Sequence, residues 1–167
     1  REGIAFFKQV GWPIVIAQLA MNLALTHIIA GELTTAEEVI ASTRRIAEEG
    51  GFSYIIKGLE NLRPMVLLEK REFADAEREL TVVQQSDIPV QMKPWFYRNQ
   101  AILLHYTGNP EQSRVARQEM LGVLNVNGHG MYAPECHLAS AFLEWREGRA
   151  DTAFASAERA LILSQEA

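Results

Sequence analysis

Four short turns recur along the chain, each between two apolar helical stretches. They read "AGELTTAEE" around Gly31, "EKREFADAE" around Arg71, "TGNPEQSRV" around Gly108 and "EGRADTAFA" around Gly148. The aligned positions lie 40, 37 and 40 residues apart. A fixed period of this size is the mark of a stacked repeat architecture, in which each unit buries its apolar face against its neighbours. Residues not used for the alignment agree with it. Five places after each turn residue stand Ala36, Ala76, Ser113 and Ala153, and seven places before it stand Ala24, Pro64, Ala101 and Ala141. Small residues facing one another across a tight turn let two antiparallel helices pack closely.

Local helix signals fall where this register needs them. Asn109, Pro110 and Gln112 in "NPEQ" place an amide acceptor, a proline at the first helical position and a glutamine in the third. "TTAEE" offers Thr34 with Glu37, or Thr35 with Glu38, as a capping box. Period-two alternation is never sustained, and "NGHG" at 127–130 is flanked by helical patterns rather than β-branched runs. The expectation is an all-α fold with helices over 13–30, 34–49, 52–69, 73–86, 91–107, 110–125, 131–147 and 150–166. These form four antiparallel pairs (13–50, 52–87, 91–126 and 131–166) stacked as an α-α superhelix in one domain over 1–167.

The stretch "PIVIAQLAMNLALTHIIA" at 13–30 is almost apolar enough to cross a membrane. Gln18, Asn22 and Thr26 interrupt it in steps of four, which makes one narrow polar stripe along a helix. A span of about 20 residues would also have to bury these groups and His27. A helix surrounded by other helices explains the composition better.

Charge and cysteine content narrow the class further. With 16 basic and 21 acidic residues the formal net charge is -5, and the longest basic runs are Arg44-Arg45 and Lys70-Arg71. Phosphate neutralisation needs a basic face, so no direct nucleic-acid contact is expected from this segment. The single cysteine, Cys136, cannot form an intramolecular disulfide, which fits a reducing compartment and a cytoplasmic location. The first residue is Arg1 and apolar residues still arrive at helical spacing in "ALILSQEA", so the chain reads as a fragment of a longer protein whose exposed ends could self-associate.

No catalytic or metal constellation emerges. His129, Cys136 and His137 come close together in "NGHGMYAPECH", but adjacent residues on a helix point about 100° apart and no C-x-x-C or H-x-x-x-H completes a chelating face. Cys136 reads as a buried structural thiol, and His27 and His105 as core histidines. The cluster "EKREFADAERE" at 69–79 reads as a solvated face. No enzyme activity, cofactor or metal is expected.

The turn, with its small residue, glycine and alanine, resembles the tetratricopeptide repeat, a pair of antiparallel helices. Repeats of 37–40 residues, with segments such as "EKREFADAERELTVV" and "EGRADTAFASAERALIL", resemble more closely the superhelical sensor domains of MalT-type (LuxR-family, ATP-dependent) bacterial transcription regulators. The resemblance covers most of the chain. It implies a non-catalytic segment that binds an effector or a regulatory protein in its concave groove, while an ATPase module and a helix-turn-helix lie elsewhere in the parent. Neither a phosphate-binding G-x-x-x-x-G-K-[ST] nor a helix-turn-helix stands in this sequence.

In such stacks the residues 13, 10, 6 and 3 places before the turn tend to face the groove. The resemblance therefore points to Gln18, Asn61, Trp95, Arg98, His105 and Trp145 among mostly apolar neighbours, with Asn22 and Asn99 beside them. Arg98 with Asn61 and Asn99 could grip a carboxylate or an amide backbone, and Trp95 or Trp145 could anchor an apolar group. Leu25, Met65, Ile102 and Phe142 stand where asparagines would be needed to clamp a C-terminal carboxylate. The competing expectation is a scaffold or adaptor whose groove holds a peptide of a partner protein, with no effector and no attached ATPase.

Overall fold

The computed structural model describes residues 12–127 and 132–166. Among them are eight α-helices and no strand: α1 (Pro13–Ile29), α2 (Leu33–Glu49), α3 (Ser53–Glu69), α4 (Phe73–Gln85), α5 (Lys93–Tyr106), α6 (Pro110–Asn127), α7 (Ala133–Arg146) and α8 (Ala150–Glu166). Adjacent helices pack as antiparallel pairs, the arrangement from which an α-α superhelix is built. The chain divides into two compact units, Arg1–Asp87 and Ile88–Ala167.

All four aligned turn residues adopt the left-handed conformation: φ is 75° at Gly31, 62° at Arg71, 82° at Gly108 and 76° at Gly148. The hydrogen bonding repeats as well. The N–H of Gly31 donates to the Ile28 carbonyl and that of Glu32 to the His27 carbonyl, which is the Schellman pattern; Arg71 and Glu72, Gly108 and Asn109, and Gly148 and Arg149 do the same. Gly51, with φ 67°, builds a fifth such turn between α2 and α3.

In each turn one residue ends one helix and begins the next. Glu32 gives its N–H to the Schellman bond, and its carbonyl accepts the first bond of α2 from Ala36. This corrects the capping-box expectation at Thr34 or Thr35. The N-cap of α2 is Glu32, its side chain makes no cap hydrogen bond, and its carboxylate instead accepts from His27 Nδ1 at 2.6 Å. A tight turn leaves no free residue for a separate serine or threonine cap.

In the first unit α1 packs on α2 and α3, and α3 packs on α4. The first helix of each pair is buried on several sides, with Ile16, Ala17, Ala20, Met21, Ala24, Leu25 and Ile28 of α1 all in the core. The second buries one stripe: Ala36, Ile40, Thr43 and Ala47 on α2, and Ala76, Leu80 and Val83 on α4. Those intervals of three and four are a single helical face. Environment thus explains the apolar α1, and no helix among the described residues is long and apolar enough to cross a membrane. Pro64 sits inside α3, buried, where it withholds the N–H that the Glu60 carbonyl would otherwise accept.

In the second unit a short 3-10 turn (Val90–Met92) leads into α5, which therefore starts two residues later than its apolar pattern suggests. Pro94 explains the displacement, because it fits the first turn of a helix but cannot donate to a preceding one. The core gathers Met92, Trp95, Phe96, Leu103, Met120, Leu124, Leu143, Ala160 and Leu163. His129 lies outside the described residues.

Candidate functional site

The residues singled out from sequence fall into three environments. Asn61, Trp95 and Asn99 are interior, at 1%, 1% and 0% exposure. Asn61 Nδ2 donates to the Lys57 carbonyl at 3.1 Å, and the Trp95 ring lies 3.9 Å from the Tyr132 ring. Side chains so placed offer a ligand almost no surface.

Gln18, Asn22, Arg98 and His105 are half-buried. In the first unit Gln18 Nε2 donates to Asn22 Oδ1 at 3.3 Å, so the polar stripe of α1 is bonded along its own helix. In the second, Arg98 donates to Asn99 Oδ1 at 3.0 Å, and the His105 ring meets Phe142 edge-on at 6.3 Å. That ring contact joins two of the positions assigned to the groove side, one on α5 and one on α7.

Trp145 is open to solvent at 64%, and Leu138, seven residues earlier on the same face of α7, is 55% exposed. Half-buried Phe142 lies between them and touches His105 and Tyr106 of α5. Leu138, Phe142, Trp145 and Tyr106 together form an apolar, largely aromatic face. Large aromatic side chains with limited rotamer freedom are the commonest anchors of binding surfaces.

Cys136 is fully buried, and burial pushes its thiol up to about 12. The Arg98 charge opposes that shift and Glu135 adds to it. A thiol held protonated is a poor nucleophile and a poor metal ligand. Among the described residues no group of three or more His, Cys, Asp or Glu side chains is arranged to hold a metal ion.

Two features carry little local signal in the sequence. On the second unit, Arg117 is buried beside Glu147 at 3.6 Å, Arg149 donates to Glu147 at 2.5 Å, and Ser156 donates to Glu144 at 2.8 Å. Burial alone would raise the Glu147 carboxyl, but the Arg149 hydrogen bond and the charges of Arg117, Arg149 and Arg114 outweigh it and hold the group below the usual carboxylate range. Burial also lowers Arg117. This cluster ties α6, α7 and α8 together.

The other feature is a cavity of about 470 Å³ on the first unit, between α2 and α3. Arg44, Arg45, Arg63, Glu37 and Glu48 stand around apolar Ile40, Ala41, Val66 and Leu67. Arg44-Arg45 is visible in the sequence as one of its two longest basic runs. Arg63 comes from another helix, and only folding brings it alongside. No family model matches the chain, and no curated protein and no solved structure matches it either.

Proposed function

We propose that this chain is a non-catalytic binding segment of tetratricopeptide-like type, and that it serves as the effector- or partner-sensing part of a MalT-like bacterial transcription regulator. The observation that carries the binding role is the exposure of Trp145 and Leu138 on one face of α7, beside Phe142 and Tyr106. Apolar side chains of this size left open and contiguous mark a surface that a partner covers. The repeated turn at Gly31, Arg71, Gly108 and Gly148 supports the tetratricopeptide-like reading, because each turn joins one broadly buried helix to one buried along a single stripe.

The partner on this face is a protein segment or an apolar effector, and neither nucleic acid nor membrane is involved. The cytoplasm is the proposed compartment. An effector acts by binding two arrangements of the parent protein with different affinity, which shifts the balance between them. Self-association is proposed through the exposed repeat ends and not through this face.

Selection of peptides from a displayed random library on the purified chain tests the face. Selected peptides should lose at least about tenfold in affinity on Trp145→Ala, a change of about 1.4 kcal/mol. Peptides indifferent to Trp145→Ala and Leu138→Ala would remove the face from consideration. The parent reading frame separates sensor from adaptor. A phosphate-binding loop and a helix-turn-helix in the same frame support the regulator, whereas further repeats with neither module support the adaptor.

A further inference from the structure

The cavity between α2 and α3 has a charge pattern that selects a ligand. Each acidic side chain on its wall already has a cation: Glu37 accepts from Lys70 at 2.6 Å, and Glu48 from Arg44 at 2.7 Å. Arg63 is held from outside the cavity by Glu79 at 2.8 Å. Arg45 makes no ion pair or hydrogen bond among the described residues, and it is exposed on the same wall. The balance is one uncompensated positive charge, in a chain whose formal net charge is -5.

The three guanidiniums have donors to spare. A guanidinium carries five N–H groups, and the contacts to Glu48 and Glu79 engage one nitrogen each on Arg44 and Arg63. Those contacts also hold the two side chains in place, so less conformational freedom is lost when they meet an anion. A carboxylate or similar oxyanion meeting Arg45 would have Arg44 and Arg63 at hand for further charge-assisted bonds.

The apolar part of the lining sets the rest of the ligand. Ile40 of α2 and Val66 of α3 form a buried floor, and the apolar surface open to a ligand is Ala41, exposed, with half-buried Leu67. Inorganic phosphate would use none of this surface, and a neutral hydrocarbon would leave the arginines unanswered. A volume of about 470 Å³ is in the range that small organic ligands occupy.

We propose that this cavity is a binding site for an organic monoanion with an apolar body, its oxyanion on Arg45 and its hydrocarbon against Ala41 and Leu67. The site lies wholly within the first unit. It does not depend on the aromatic face of α7, and either can fail without the other.

The test uses 2-naphthoate as the probe and 2-naphthamide as its neutral counterpart, titrated into the full chain and followed by methyl and Arg Nε–H NMR signals. Naphthoate should bind with Kd below about 1 mM, at least about tenfold more tightly than the amide. Shifts should concentrate on Ala41 and Leu67, with smaller ones at Ile40 and Val66 beneath them, and affinity should fall as salt is added. Arg45→Gln should bring naphthoate down to the level of the amide while leaving amide binding unchanged. Ala41→Glu should abolish naphthoate binding, and Arg159→Gln, on the other unit, should change nothing. Equal binding of acid and amide, an Arg45→Gln variant that binds as the parent does, shifts centred elsewhere, or no saturable naphthoate binding would each overturn the proposal.

Discussion

The Ser113 hydroxyl donates to the backbone carbonyl of Ala101 at 2.7 Å, buried between α6 and α5. These residues stand five places after and seven places before Gly108. Ala36 and Ala24, Ala76 and Pro64, and Ala153 and Ala141 hold the corresponding places, and all are buried. The bond is thus an addition to a contact that the other pairs make with small side chains alone. Ser113→Ala should cost only about 0.5–1.5 kcal/mol in urea unfolding, the usual net worth of one hydrogen bond. Ser113→Leu should cost about 2–3 kcal/mol or more, because a larger side chain must push the two helices apart. Equal costs for the two substitutions would show that the close approach is not what this position requires.

Arg71 is the one residue other than glycine with positive φ among the described residues. A side chain in the left-handed region costs roughly 1–2 kcal/mol, and glycine relieves it while adding freedom to the unfolded chain. Arg71 is exposed, so little packing is lost. Arg71→Gly should raise stability by about 0.5–1 kcal/mol, and thermal unfolding should show it as an increase of about 2–4 °C at most. A lower midpoint would mean that the arginine side chain contributes something its exposed position does not suggest.

The turns were legible because their determinants are local. Glycine at the left-handed position and small residues on either side recur at fixed offsets, so even Arg71 could be placed by register. Burial was harder to read. Trp95 and Trp145 are both aromatic, and the resemblance assigned both to the groove. Trp95 is interior, with Tyr132, which precedes α7, against it, whereas among the described residues Trp145 stays 64% exposed. Such a distinction comes from tertiary contact and has no sequence period. The cavity arginines pose the same difficulty, since Arg63 joins Arg44 and Arg45 only through the packing of α3 on α2.

Cys136 should be inert in the folded chain. With its thiol pushed up from 9.0 to about 12, the thiolate fraction near neutral pH is lower by about a thousandfold, and burial also blocks approach of the reagent. Iodoacetamide at pH 8 should leave it unmodified in buffer and alkylate it rapidly in denaturing urea, as mass spectrometry would read directly. Rapid modification of the native protein would show that α7 opens far more readily than its packing implies.

The cluster around Glu147 should make stability depend on acid pH. The Glu147 carboxyl is held below its usual value of 4.5 by Arg149, Arg117 and Arg114, despite burial that pushes the other way. A carboxyl lowered on folding contributes stability that is fully present above the unfolded value and is lost as pH falls through the folded one. Glu147→Gln should therefore destabilise the chain by about 2–3 kcal/mol at pH 7, because Arg117 would remain buried without its closest carboxylate. Arg117→Met should cost less, about 1 kcal/mol or under, because Glu147 keeps Arg149 and the apolar stem of the arginine is replaced. Chemical unfolding measured from pH 7 down to pH 3 should show the parent and Glu147→Gln curves converging below about pH 4.5. A constant gap across that range would mean that the loss comes from packing and not from the charge.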